Sequence, residues 1–157
     1  MQAGVADAGH GERFEGQAMR KDKGGTVDDL RHLALFANMS NAELERLAAL
    51  GEPVEAEAGA VLIDQGDVGT ECFLVLEGEA GIIHGSDHVA TIGPGTVVGE
   101  MALIGHRPRN ATVRATTQMR LLAFDIKHFK RLLDDMPAAR DHIYGLLRAR
   151  AAENESR

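Results

Sequence analysis

From Glu52 to Asp125 the chain is cut into short apolar runs separated by Gly, Pro and Asp turns. Runs this short are too brief for packed helices and suit strands, and turn residues at this density suit antiparallel pairing. The spacing predicts strands at Pro53–Ala56, Val61–Asp64, Cys72–Leu76, Ala80–His84, His88–Ile92, Thr96–Val98, Ala111–Ala115 and Arg120–Phe124. Gly85-Ser86-Asp87 reads as the tip of a hairpin. The fold class expected is mainly β, a jelly-roll-like antiparallel β-barrel formed by a closed sheet, with flanking helices and one short helical interruption.

The flanks have helical character. Asp28 and Asp29 favour a helix start, and Leu30, Leu33 and Ala34 follow at helical spacing. A second helix opens at Ser40, where Glu43 completes a capping box. Leu44, Leu47 and Ala48 form its buried stripe and Gly51 ends it. After the strands, Asp125 caps a helix bearing Ile126, Phe129, Leu132 and Leu133. Met136-Pro137 breaks it, and Pro137 suits the first position of the next. That last helix carries Ile143, Leu146 and Leu147 on one stripe, with Tyr144, Leu147, Arg148 and Ala151 on an adjacent one. Residues 1–26 are rich in Gly, Ala and charge, have no apolar period, and read as a disordered tail. One domain is expected over residues 27–152: helices at 27–51, the barrel at 52–125 and helices at 126–152.

The interruption, Gly99 to Val113, carries the chemistry. Gly99 lets backbone approach a ligand closely. Glu100 opens the apolar turn Met101-Ala102-Leu103-Ile104, and N–H groups at a helix start attract anions. Arg109 presents a planar fork of donors suited to phosphate oxygens, and Pro108 restricts the backbone just before it. Asn110 and Ala111 offer further N–H groups, and Thr112, Val113 and Ala115 read as a strand leaving the site. One arginine and one carboxylate match the two polar groups of a cyclic nucleotide: a singly charged cyclic phosphate and a free ribose 2′-hydroxyl. An ordinary surface ion pair between Glu100 and Arg109 is the competing explanation, and such pairs contribute little.

This stretch resembles the phosphate-binding cassette of the cyclic nucleotide-binding domain, the family of the catabolite activator protein, the regulatory subunits of cyclic-AMP-dependent kinase and cyclic-nucleotide-gated channels. The spacing of Glu100 and Arg109 matches without a gap. Gln65-Gly66-Asp67-Val68-Gly69, then Phe73, Val75 and Gly78, resembles the family's conserved turn and strand. Gly93-Pro94-Gly95 resembles the turn before the cassette, and Leu35-Phe36 with Ser40-Asn41-Ala42-Glu43-Leu44 the helical lead-in. The resemblance covers about Leu30 to Leu147. It implies that Glu100 binds the ribose 2′-hydroxyl and Arg109 the exocyclic phosphate oxygens. By the same resemblance Gly99, Met101, Ala102, Asn110 and Ala111 line the sugar-phosphate pocket, with Val98 and Thr112 at its borders. Two positions depart from the family pattern. Val98 stands where an aromatic is common, and Asn110 where alanine, serine or threonine is usual, which leaves the choice between cyclic AMP and cyclic GMP open.

The resemblance further implies that ligand binding moves the carboxy-terminal helices over the base. Tyr144 is placed to stack on a purine and Arg148, one turn later, to cover it by cation–π contact. The alternative is that Tyr144 packs on the barrel and Arg148 is solvated. Gly145 lowers the helical preference between them.

A net charge of −7 over 157 residues argues against a nucleic-acid partner, because phosphate-backbone binding needs a concentrated basic surface. The one cysteine, Cys72, sits in an apolar run and reads as a buried small hydrophobe. No apolar segment is long enough to span a membrane, no signal-peptide core is present, and a cytoplasmic protein is the default. His84 and His88 flank the hairpin tip without the further ligands a metal centre needs, so no metal is expected. No Ser/His/Asp or Cys/His constellation supports a catalytic residue, and Glu100 lacks a second carboxylate, so an enzyme is not expected.

The expected function is a stand-alone cyclic nucleotide-binding module, cyclic AMP ahead of cyclic GMP. It needs no cofactor and signals through its last helices to a protein effector. That short, weakly amphipathic helix favours a monomer over a dimer. Two alternatives belong to other classes: a ligand-free domain of this fold acting as a protein-interaction module, and a metal-dependent barrel enzyme.

Overall fold

The computed structural model describes residues 19–21, 27–66, 69–99 and 111–155. The described residues form two antiparallel sheets and a set of helices. In chain order they are β1 (Met19–Lys21), α1 (Val27–Arg31), a single 3₁₀ turn (Ala34–Phe36), α2 (Asn41–Leu50), β2 (Glu52–Ala56), β3 (Val61–Ile63), β4 (Glu71–Glu77), β5 (Ala80–His84), β6 (Asp87–Ile92), β7 (Val97–Val98), β8 (Thr112–Ala115), β9 (Met119–Asp125), α3 (Ile126–Asp134) and α4 (Pro137–Glu155). The first sheet has the order β1-β2-β9-β4-β7 and the second β3-β8-β5-β6. The jelly-roll-like fold class stands, but as two packed sheets, not one closed sheet. All eight strands expected from the sequence are present, with ends shifted by a residue or so.

The five-stranded sheet is apolar on both faces, and this explains why β4 reads as the unbroken run Cys72-Phe73-Leu74-Val75-Leu76. Successive side chains point to opposite faces of a strand. Phe73 and Val75, with Met119, Leu121 and Ala123 of β9, join Ile63, Ala80, Val113 and Ala115 of the other sheet in one core. Cys72, Leu74 and Leu76, with Leu122 and Phe124, face the helices in a second core. Cys72 is thus the buried hydrophobe expected.

The helices are held where their caps and apolar stripes put them. Ser40 accepts the Glu43 N–H at 3.1 Å while Glu43 accepts the Ser40 N–H at 3.0 Å, which is the capping box expected. Asp125 caps α3 by accepting the N–H groups of Lys127 and His128. Phe129 packs its ring 4.8 Å from that of Phe124. α4 starts at Pro137, runs through Gly145 to Glu155, and buries Ile143 and Leu147 completely. Leu146, expected beside them on the buried stripe, is exposed, because the stripe that meets the core is narrower. His142 Nε2 lies 3.0 Å from the Ala34 carbonyl; since a carbonyl only accepts, that nitrogen carries the proton. Arg46–Asp135 (3.2 Å) adds a second tie between the amino- and carboxy-terminal helices. Arg120 of β9 reaches Asp29 of α1 at 3.0 Å and Glu77 of β4 at 2.8 Å, anchoring α1 to the sheet.

Two further expectations need correction. Residues 19–21, inside the tail expected to be disordered, form β1, which pairs with β2 in the register Met19↔Ala56, Arg20↔Glu55, Lys21↔Val54. Met19 is buried in the inter-sheet core, a gain that a single methionine does not advertise in a polar sequence. Leu33 and Ala34 do not extend α1, which stops at Arg31; the chain turns and resumes as a 3₁₀ turn. Gly51 ends α2, as expected, with a φ of −76°. Its value lies in close approach, because a Cβ there would collide with the Leu122 side chain.

That contact gives a test of the helix-side core. Leu122→Ala is expected to cost about 2–5 kcal/mol and Gly51→Ala about 1–3 kcal/mol in urea unfolding. The double variant should cost less than the sum, because the truncated leucine makes room for the new methyl group. Additive costs would show that the two residues do not share one space.

Candidate ligand site

The chain reaches the candidate site from the edge of the five-stranded sheet. β7 pairs with β4 in the register Phe73↔Val98 and Leu74↔Val97. Its two residues point to opposite faces: Val97 joins the helix-side core and Val98 the inter-sheet core. Gly99 follows with φ +84°, a left-handed conformation that favours glycine and turns the chain out of the sheet.

The chain returns at the interior of the other sheet. Ala111 is buried, and Thr112 starts β8 between β3 and β5, opposite Ile83. The Thr112 hydroxyl oxygen accepts the Gln65 N–H at 3.0 Å. The Gln65 side-chain oxygen in turn accepts the Gly85 N–H at 2.9 Å. Both ends of the connecting segment are therefore fixed, one at each sheet. Of the residues singled out from the sequence, Val98, Gly99, Ala111 and Thr112 form these two ends. Glu100, Met101, Ala102, Arg109 and Asn110 lie outside the described residues. Gln65 was noticed only as part of a family turn; its two contacts join segments 20 and 47 residues away and leave no local periodic signal.

Tyr144 and Arg148 are brought together with each other. The Arg148 guanidinium carbon lies 5.8 Å from the Tyr144 ring centroid, a cation–π distance. Tyr144 packs against the helix-side core, on the face of the sheet opposite to Val98, and Arg148 is exposed. Tyr144 is half-buried and Arg148 meets solvent. His84 and His88 are exposed at the β5–β6 hairpin, where His88 Nε2 sits 3.2 Å from the Thr91 hydroxyl. Among the described residues no three His, Cys, Asp or Glu side chains converge as metal ligands would. Nor is any helix among them long and apolar enough to cross a membrane.

Burial raises the Tyr144 phenol above its ordinary value near 10, and the Asp134 carboxylate adds to the rise, against smaller opposing effects of Arg140 and Arg148. A raised value means the fold prefers the neutral phenol. The resulting stability is present below pH ~10 and is lost as pH climbs through the higher folded-state value. Tyr144 is the only tyrosine and the chain has no tryptophan, so phenolate absorbance reports this group alone. Its midpoint is expected above 10 and closer to 10 in Asp134→Asn; an ordinary midpoint unmoved by that substitution would contradict the packing described.

Comparison with known proteins agrees with this geometry. The model of the cyclic nucleotide-binding domain matches residues 53–136, a span that runs from β2 through the whole Gly99–Val113 segment to the end of α3. The cAMP-dependent protein kinase regulatory subunit of Schizosaccharomyces pombe is 35% identical over 105 residues, covering 66% of this chain and 26% of that protein. This chain therefore spans about a quarter of that relative's length. The crystal structure of a cyclic nucleotide-binding domain from Methylobacillus flagellatus superposes with a TM-score of 0.74 at 25% identity, covering 89% of this chain and 88% of that one. The regulatory domain of Toxoplasma gondii PKA, co-crystallised with cAMP, superposes with a TM-score of 0.69 at 28% identity, covering 81% and 48%. With the jelly-roll sheets in place and the match spanning the segment that bridges them, the chain belongs to the cyclic nucleotide-binding domain family.

Proposed function

We propose that this chain is a cyclic AMP-responsive regulatory module that binds its ligand between Gly99 and Thr112. The observation that carries the reading is the fixed pair of ends on either side of the Gly-Glu…Pro-Arg segment. Val98–Gly99 leaves the edge of one sheet, and Ala111–Thr112 returns to the interior of the other. Fixed ends limit where the segment between them can reach, which lowers part of the entropic cost of binding an anion there. Glu100 takes the ribose 2′-hydroxyl, and Arg109 takes the exocyclic phosphate oxygens with a bidentate fork. Gly99, Met101, Ala102, Asn110 and Ala111 surround the sugar phosphate. In a protein of net charge −7, Arg109 and backbone N–H groups make the positive potential locally. Similarity to a cAMP-dependent kinase regulatory subunit from Schizosaccharomyces and to a Toxoplasma domain co-crystallised with cAMP supports cyclic AMP over cyclic GMP.

Output runs through α4. Tyr144 contacts the helix-side core and Arg148 in the structure described. A ligand that offered Tyr144 or Arg148 a purine face would shift α4 by the difference in contact free energy between its two positions. The module acts on a protein effector in the cytoplasm, performs no catalysis itself, and works as a monomer.

Calorimetry tests the reading. Wild-type protein is expected to bind cyclic AMP more tightly than cyclic GMP. Arg109→Ala should weaken cyclic AMP binding about 10- to 150-fold, the loss expected for a hydrogen bond to a charged group. Absence of binding would favour the ligand-free interaction module instead, and unchanged affinity in the variant would remove Arg109 from the site.

A further inference from the structure

The segment proposed to bind the ligand ends at Thr112, and Thr112 does not stand alone. Its hydroxyl accepts the backbone N–H of Gln65, which follows β3, and the Gln65 side-chain oxygen accepts the backbone N–H of Gly85 at the β5–β6 tip. One glutamine therefore joins the return of the cassette to the hairpin tip, with its main chain toward one and its side chain toward the other. The strand ladders do not require this link. β8 already pairs with β3 and β5 through its own backbone, in registers that include Ile63↔Val113 and Ile83↔Thr112. Gln65 is exposed, so its long side chain gives up rotamer freedom to hold Gly85. The hairpin it holds ends the four-stranded sheet: among the described residues no strand pairs with the outer edge of β6, and Val89 there is exposed.

We infer that Gln65 is a positioning residue that carries ligand occupancy of the cassette to the β5–β6 hairpin, giving the domain a second readout beside α4. The inference rests on the ligand reading above. The Thr112 backbone is already held between β3 and β5, so a ligand bound beside it acts on the rotamer of its hydroxyl, which narrows the positions open to Gln65. A narrowed Gln65 holds the Gly85 N–H for a larger fraction of time. The coupling needs no large displacement; it is a change in the order of three linked groups, and the Gly85 amide reports it directly. By reciprocity, a hairpin held in place by a partner would tighten ligand binding by the same factor.

Residue-resolved amide exchange on the whole chain, with and without cyclic AMP, tests this in wild type, Gln65→Ala and Gln65→Glu, with calorimetry run on each. Wild-type Gly85 is expected to exchange about 2- to 10-fold more slowly when cyclic AMP is bound, the range one net hydrogen bond allows. Gln65→Ala should abolish that ligand-dependent slowing and weaken cyclic AMP binding by a similar factor. Gln65→Glu, which keeps an acceptor oxygen at the same place, should restore both. Ligand-dependent slowing that survives in Gln65→Ala, or fails to appear in wild type although cyclic AMP binds, would overturn the coupling and leave the ligand reading standing. No binding of cyclic AMP by wild type would overturn both. A Gln65→Glu variant that folds and binds but shows no slowing at Gly85 would also overturn it.

Discussion

The five-stranded sheet must bury both of its faces, and the rest of the architecture follows from that. A strand with apolar residues at every position has no face to show to water. β4 and the middle of β9 are such strands, and they pair side by side in the register Cys72↔Phe124, Phe73↔Ala123, Leu74↔Leu122, Val75↔Leu121. One face demands the second sheet and the other demands the helices. A chain of 157 residues can meet both demands, because each core is built from the alternate side chains of the same strands.

That shared sheet places the start of the proposed ligand segment at the boundary of both cores. Val97 and Val98 are consecutive, yet one belongs to each core. They immediately precede Gly99, where the chain departs into the segment bearing Glu100 and Arg109. Val98 thus borders the inter-sheet core, and Val97 the helix-side core to which Ile143 and Leu147 also belong. The helices on that side are themselves tied together, by His142 to the Ala34 carbonyl and by Arg46 to Asp135. Arg120 extends the tie to α1 through Asp29.

Features governed by local chemistry were legible in the sequence. The Ser40–Glu43 capping box, the Asp125 cap, the Pro137 start and the eight strand positions depend on residues within a few places of one another, and each stands where its local signal put it. What escaped depends on partners distant in sequence. Met19 becomes a core residue only because β2 offers an unpaired edge. Gly51 matters because Leu122 comes against it, and Leu146 is exposed because α4 meets the core along a narrower stripe than its apolar residues suggest. The division into two sheets is likewise a tertiary outcome, since strand count and turn spacing are the same for a closed barrel. At the candidate site, Val98, Gly99, Ala111 and Thr112 sit at the two fixed ends. The role of Gln65 rests on hydrogen bonds to Thr112 and Gly85 that no motif spacing encodes.

A crystal structure of the protein grown with cyclic AMP tests the central claim most directly. The account predicts the nucleotide between Gly99 and Thr112, the Arg109 guanidinium forked onto the exocyclic phosphate oxygens and the Glu100 carboxylate on the ribose 2′-hydroxyl. A nucleotide bound elsewhere, or bound there with Arg109 turned away from its phosphate, would contradict it.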